Sequence, residues 1–301
     1  LLILGRAVWG MGTAFYFMNN MAILMDILPV GTRGRALGLF QGIEFVGSFI
    51  GAPIGALLAV HMTFNQVFYF TLAITLIALP VALRSRGMRE ADGTASVRSR
   101  PALREVFSGL RDWGILAVCL STLLRMLIMQ GIFQTVFQLY MNRTLLFSVA
   151  SIGVVLSFRI AGQIISLVTA GILSDRVGRR PVLLAGFIVT SLTLTAFTLV
   201  KNFELLLLVG FAEGLGEGFG MTTLIALLTD IAPPSMRGGV VGLYRTFQDI
   251  GGFSGPVLFM LINNGFGPEY AFYAAAAFSM LNIALISTFH TGQIKAASYP
   301  W

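Results

Sequence analysis

Residues 171–181, Gly-Ile-Leu-Ser-Asp-Arg-Val-Gly-Arg-Arg-Pro, form a compact charged loop between two apolar runs, 146–172 and 181–200. Each run is long enough to cross a bilayer, whose hydrocarbon core takes about 20 residues of helix. Spanning helices joined so tightly are antiparallel neighbours, and their joint lies at one membrane face. Gly171 and Gly178 supply backbone that can turn closely, and Asp175 stands among Arg176, Arg179 and Arg180. The surrounding chain excludes a soluble reading of this feature. It is 56% hydrophobic and 11% charged, with mean hydropathy +0.84, whereas a soluble domain is charged at about a quarter of its positions.

The joint resembles the G-x-x-x-D-R-x-G-R-R signature of the major facilitator superfamily. In that family it occurs on the cytoplasmic side between helices 2 and 3, and in weaker form between helices 8 and 9. The resemblance implies an all-helical integral membrane fold. Nine spans are expected, at 2–28, 36–60, 64–84, 113–140, 146–172, 181–200, 203–230, 239–263 and 269–289, matching the family's helices 4 to 12. Residues 1–84 then hold part of a first bundle, 85–112 a linker, 113–289 a six-helix second bundle and 290–301 a tail. The linker carries Arg84, Arg86, Arg89, Arg98, Arg100, Arg104 and Arg111 around four acids, and its residues 101–110 are expected to form a short surface helix.

Charge placement sets the orientation, because Lys and Arg accumulate on the cytoplasmic side. Arg33, Arg35, the linker arginines, Arg176, Arg179, Arg180, Arg237 and Lys295 fall on one side; only Arg143 and Lys201 fall on the other. The first face is read as cytoplasmic, with residue 1 outside and the C-terminus inside a plasma or inner membrane. This placement accounts for the basic balance of 20 Lys+Arg against 13 Asp+Glu without nucleic acid. One cysteine, Cys119, and two histidines offer neither an internal disulfide nor a metal site. No cofactor and no P-loop are indicated, and the chain shows no signal peptide.

An internal repeat runs at a constant offset of 204. Asp26/Asp230, Pro29/Pro233, Arg33/Arg237, Gly34/Gly238, Gly38/Gly242, Gly47/Gly251 and Gly51/Gly255 all keep it, as do Gly10/Gly214 and Gly12/Gly216. Homologous transporter halves leave such parallel repeats. At this offset the partner of Gly171–Arg180 falls before residue 1. The expectation is a twelve-helix transporter lacking its first three helices, with a natural nine-helix protein as the alternative. Lacking one cavity wall, such a chain is expected to support little coupled transport by itself.

Several residues could carry the chemistry. Arg6 and Gly10 share a helix face in Gly5–Ala14, which resembles the family's R-x-x-x-G-x-G-x-A pattern; the resemblance implies that Arg6 tunes a proton-carrying carboxylate. Gly47, Gly51, Pro53 and Gly55 resemble the G-x-x-x-G-P-x-x-G-G motif of proton-exchanging exporters, with the proline displaced by one position and Ala56 in place of the last glycine. Generic helix packing is the other reading of this motif and of its partial copy, Gly251-x-x-x-Gly255-Pro256.

Charges inside a membrane are costly and mark function. The acids are Glu44, Glu213, Glu217 and Asp249, with Glu217 first because its helix lines the central cavity in the resembled family. Structural pairing with Arg125, Arg159 or Arg245 is the alternative. Arg125, Gln130, Phe133 and Phe137 are cavity candidates. At the cytoplasmic gate the resemblance implies that Asp175 caps a helix near Arg33–Arg35 and that Arg179 approaches Asp230, with Gly171, Arg176, Gly178, Arg180 and Arg237 in the same assembly. Together these features lead to a non-enzymatic, proton-coupled exporter of small lipophilic compounds, monomeric when intact, whose partners are the bilayer, its substrate and protons. A proton-coupled importer of a polar metabolite and a non-transporting membrane scaffold are the alternatives.

Overall fold

The computed structural model describes residues 61–84, 109–233 and 237–288, with isolated positions between 4 and 60. Arg6, Glu44, Pro53, Arg33, Arg35, the linker to residue 108 and the tail from 289 lie outside the described residues. Every regular element among the described residues is a helix. In chain order these are α1 (Phe64–Arg84), α2 (Trp113–Thr144), α3 (Val149–Val177), α4 (Arg179–Leu199), α5 (Phe203–Ile231), α6 (Arg237–Phe266) and α7 (Pro268–Ser287). Five of them, α2, α3, α4, α5 and α7, are long and apolar enough to cross a membrane. The protein is an all-α, multi-pass membrane protein. Helix α6 is as long but less apolar, carrying Arg245, Asp249, Asn263 and Asn264.

The chain divides into two compact units, Leu1–Ser48 with His61–Ser99, and Phe49–Val60 with Arg100–Trp301. In the first, α1 opens where the Thr63 amide donates to Gln66 Oε1 at 2.9 Å. Its Phe68, Tyr69 and Ile77 are exposed.

In the second unit the helix starts are written in local sequence. Asp112 accepts from the amides of Gly114 and Ile115, Ser148 from Ser151, and Asn202 from Glu204 and Leu205; each satisfies amides that a helix N-terminus leaves without a partner. Proline opens α7 at a position where its missing N–H costs nothing. Helix α2 departs from the expected regular span. It winds as a π-helix over Met129–Val136 and again over Tyr140–Thr144, and it runs four residues beyond position 140.

The charged joint also differs from its expectation. Residues 171–177 are not a loop: α3 continues through Val177, and α4 starts at Arg179. Only Gly178 lies between them, at φ +98°, ψ 157°, a conformation that a side chain opposes. Gly171 is an ordinary helical residue with open space about it. Nothing before Gly178 breaks the helix, and an Asp175–Arg179 contact bridges the joint.

Helix α5 packs between α3 and α4, and its sequence explains the fit. Gly210, Gly214 and Gly218 face α3, where a Cβ on Gly214 would overlap the Arg159 carbonyl oxygen. Gly216 and Gly220 face α4, where a Cβ on Gly216 would stand 2.8 Å from the Gly186 carbonyl oxygen. In lipid, close backbone approach of this kind replaces the hydrophobic effect as the source of helix association. The partial motif on α6 has the same use: Gly251 and Gly255 lie against the carbonyls of Leu123 and Leu127 on α2. At Gly47, Gly51 and Gly55 no described atom lies within 4 Å of a Cβ.

The interior has two separate apolar clusters. One gathers Phe133, Phe137, Tyr140, Phe197, Phe259 and Phe272; the other gathers Ile115, Val118, Leu183, Leu224, Leu228 and Tyr244. Between them, four of the contributing helices turn polar. Ser121, Thr122 and Arg125 lie on α2, Thr190 and Ser191 on α4, Glu213, Glu217 and Thr223 on α5, and Ser279 and Asn282 on α7, all buried.

Candidate functional site

Two ion pairs occupy the polar layer. Arg125 of α2 donates through Nη1 to Glu217 Oε1, and Arg159 of α3 donates through Nε to Glu213 Oε2. No side chain of the four is more than 6% exposed. Glu213 and Glu217 lie four residues apart on α5, so they share a face, yet each reaches a different helix. The glycines beside them make this possible: with Gly214 and Gly216 bare, α5 comes close enough to α3 and α4 to enclose both carboxylates. A charge in such surroundings is tolerated only with a partner, and removing one partner strands the other.

The arginines are held from several sides. Arg159 lies 4.0 Å from the centre of the Phe133 ring, a cation–π geometry, and its Nη2 is 2.9 Å from Met129 Sδ. Arg125 Nη2 approaches Met126 Sδ at 3.5 Å, and Tyr244 of α6 lies close by. Gln163 points its amide at Met221 Sδ, 3.9 Å away. The methionine sulfurs and Tyr244 are site neighbours that sequence reasoning missed. A methionine among apolar residues looks like packing until its helix is placed beside an arginine.

Other candidates sit elsewhere. Phe133 and Phe137 are buried. They pack with Phe197 at centroid distances of 6.1 and 5.1 Å, within the aromatic cluster. Gln130 is half-buried in the π-wound part of α2 and faces Gly252 of α6. Asp249 is not buried: its side chain is 60% exposed and pairs at 3.2 Å with Arg245 on the same helix. With that partner a single turn away, its described contacts stay on α6 and do not join the polar layer.

At the α3–α4 joint, Arg179 is the hub. Its Nε donates to Asp230 Oδ2 at 3.1 Å, and its Nη1 pairs with Asp175 Oδ1 at 2.6 Å and also reaches Ser174 Oγ. Asp230 is in the last turn of α5, where a helix end disfavours negative charge and the guanidinium offsets it. Arg180 Nη2 donates to the Ser287 carbonyl at 2.6 Å, satisfying a C-terminal acceptor of α7. Arg176 is exposed, and Arg237 opens α6. Four helices are thus tied at one end through two consecutive arginines.

The sequence model of the Major Facilitator Superfamily matches residues 1–141 and 118–295. The multidrug resistance protein MdtG of Salmonella arizonae is 25% identical over 281 residues, covering 92% of this chain and 69% of that protein. MdtG of Proteus mirabilis is 28% identical over 302 residues, covering 98% and 73%. The uncharacterized MFS-type transporter YuxJ of Bacillus subtilis is 28% identical over 287 residues, covering 90% and 69%. Among solved structures, a bacterial homolog of the human lysosomal transporter Spinster, inward-facing and unoccupied, is similar with TM-score 0.56 and 14% identity, over 92% of this chain and 73% of that one.

Proposed function

The chain belongs to the major facilitator superfamily, and on that premise we propose that it serves proton-coupled export of small lipophilic compounds by alternating access. The observation that carries this reading is the Arg125–Glu217 pair, enclosed in the second bundle beside Arg159–Glu213. A carboxylate in a low-dielectric interior has two ways to be neutralised: an arginine or a proton. If the helices move so that Arg125 withdraws, Glu217 takes a proton; when Arg125 returns, it releases one. Arginine keeps its own proton throughout, so the carboxylate is the carrier and the guanidinium is the competitor. The multidrug resistance names of two relatives support export as the direction.

In this proposal Arg179, Asp175 and Asp230 close the cytoplasmic end. Their contacts hold one state and part as the halves rock, while the enclosed pairs register the proton. Arg6 and Glu44 would contribute from the first bundle.

Flux of a lipophilic dye in vesicles carrying the intact transporter tests the reading, under an imposed pH gradient and with Glu217→Gln compared with the unaltered intact protein. Gradient-driven extrusion that the substitution uncouples is the expected result. Proton coupling unchanged in Glu217→Gln removes Glu217 from the role, and flux running with the proton in the same direction makes the protein an importer.

A further inference from the structure

Of the polar atoms in the layer between the two apolar clusters, several have no hydrogen-bond partner among the described residues. They include Ser121 Oγ, Thr122 Oγ1 and Arg125 Nε on α2, Thr223 Oγ1 on α5, and both ends of the Asn282 amide on α7. Ser121, Thr122 and Asn282 are 0% exposed. Helices α2 and α7 pack against one another, and the helical register sets these residues at neighbouring levels along them. Trp113 Nε1 donates to Thr288 Oγ1 at 3.1 Å, aligning the start of α2 with the end of α7 in antiparallel fashion. Six residues back from Thr288 is Asn282, and six residues on from Trp113 is Cys119, within one turn of Thr122. Ser121 and Thr122 lie four and three residues before Arg125, on the same face of α2.

Buried hydroxyls and amides in proteins nearly always find partners, and those that lack protein partners are met by enclosed water. Serine and threonine in membrane helices ordinarily donate to the carbonyl one turn back, as Thr193, Thr195 and Ser157 do here. Ser121 and Thr122 make no such bond, which leaves both hydroxyls free to take another partner. The arrangement also has the right chemistry for water. Hydroxyls both donate and accept, the amide offers both functions, and Arg125 Nε donates. Apolar side chains close the layer above and below.

We propose that this part of the layer is an internal hydration site, in which enclosed water bridges Ser121, Thr122 and Arg125 on α2 to Asn282 on α7. Water there solvates the Arg125–Glu217 pair from the α7 side and gives the guanidinium somewhere to turn when the pair parts. The inference concerns the second bundle alone and does not depend on the direction of transport or on its substrate.

Millisecond X-ray radiolysis of the purified chain in nanodiscs, in water enriched in oxygen-18, tests it. Hydroxyl radicals made from enclosed water oxidise adjacent side chains that bulk solvent does not reach. The expected result is heavy-oxygen labelling of the buried 115–128 segment, which contains the reactive Cys119 and Met126, and its fall to background in Asn282→Leu. Ser121→Ala with Thr122→Val, which leaves Asn282 in place and keeps side-chain volume, is the second variant if Asn282→Leu fails to fold; it is expected to reduce labelling partly. Background labelling in the unaltered chain overturns the proposal, as does labelling that neither variant changes. A melting temperature raised by the Asn282→Leu change also counts against it, because removing an unsolvated amide from a dry layer would stabilise the fold.

Discussion

Arg125 and Glu217 are buried partners, and this pairing sets what substitutions at either residue do. Arg125→Ala leaves a buried carboxylate without its counter-charge and is expected to destabilise the bundle by about 3–5 kcal/mol. The double change Arg125→Leu with Glu217→Leu removes both charges and should recover most of that loss, because an apolar pair incurs no desolvation penalty. Thermal unfolding in detergent distinguishes the two, and a double variant no more stable than Arg125→Ala would contradict the pair as drawn. Arg159 differs in one respect. Phe133 lies under its guanidinium and packs on Phe137 and Phe197, so Phe133→Leu is expected to lose the cation–π share, roughly 0.5–2 kcal/mol, together with its ring contacts.

Among the helices, two glycines in one signature have unlike duties. Gly178 alone turns the chain between α3 and α4 at φ +98°, so Gly178→Ala is expected to cost about 1–3 kcal/mol of backbone strain. Gly171 is helical with no neighbour near its Cβ, and Gly171→Ala should be neutral or stabilising by up to about 1 kcal/mol. Melting curves of the two alanine variants check the contrast; equal destabilisation would mean that the turn is shared. Gly214→Val belongs with Gly178 in its severity, for a different reason. Its side chain would enter the Arg159 backbone, pushing α5 off α3 and separating Glu213 from its partner.

For the whole molecule, the end-on contacts of Arg179 contribute little to stability. Asp175 and Asp230 are 67% and 42% exposed, and solvated pairs contribute only about 0–1 kcal/mol. Arg179→Ala should therefore barely shift the melting temperature while loosening the ends of α3, α4 and α5. Introduced cysteines near Ser174 and Asp230 would then react faster with a water-soluble thiol reagent, and an unchanged rate would deny the hub its closing role.

The helices of the second bundle were legible in the sequence because a spanning helix needs only a continuous apolar run and a stop. Asp112, Ser148, Asn202 and Pro268 mark their starts within a residue or two of the hydropathic edges. The helical nature of 171–177 was not legible, since charge and glycine in a short joint look like a loop when the φ of Gly178 is unseen. The π-winding of α2 left no mark either, because it depends on packing against neighbours. By itself the sequence determined that this is a helical membrane protein, and which acids and arginines lie in its apolar spans. Which arginine meets which glutamate was decided by tertiary structure. Glu213 and Glu217 project from one face with equal chemistry, and only the glycine-lined approach of α5 to its neighbours assigns one to Arg159 and the other to Arg125.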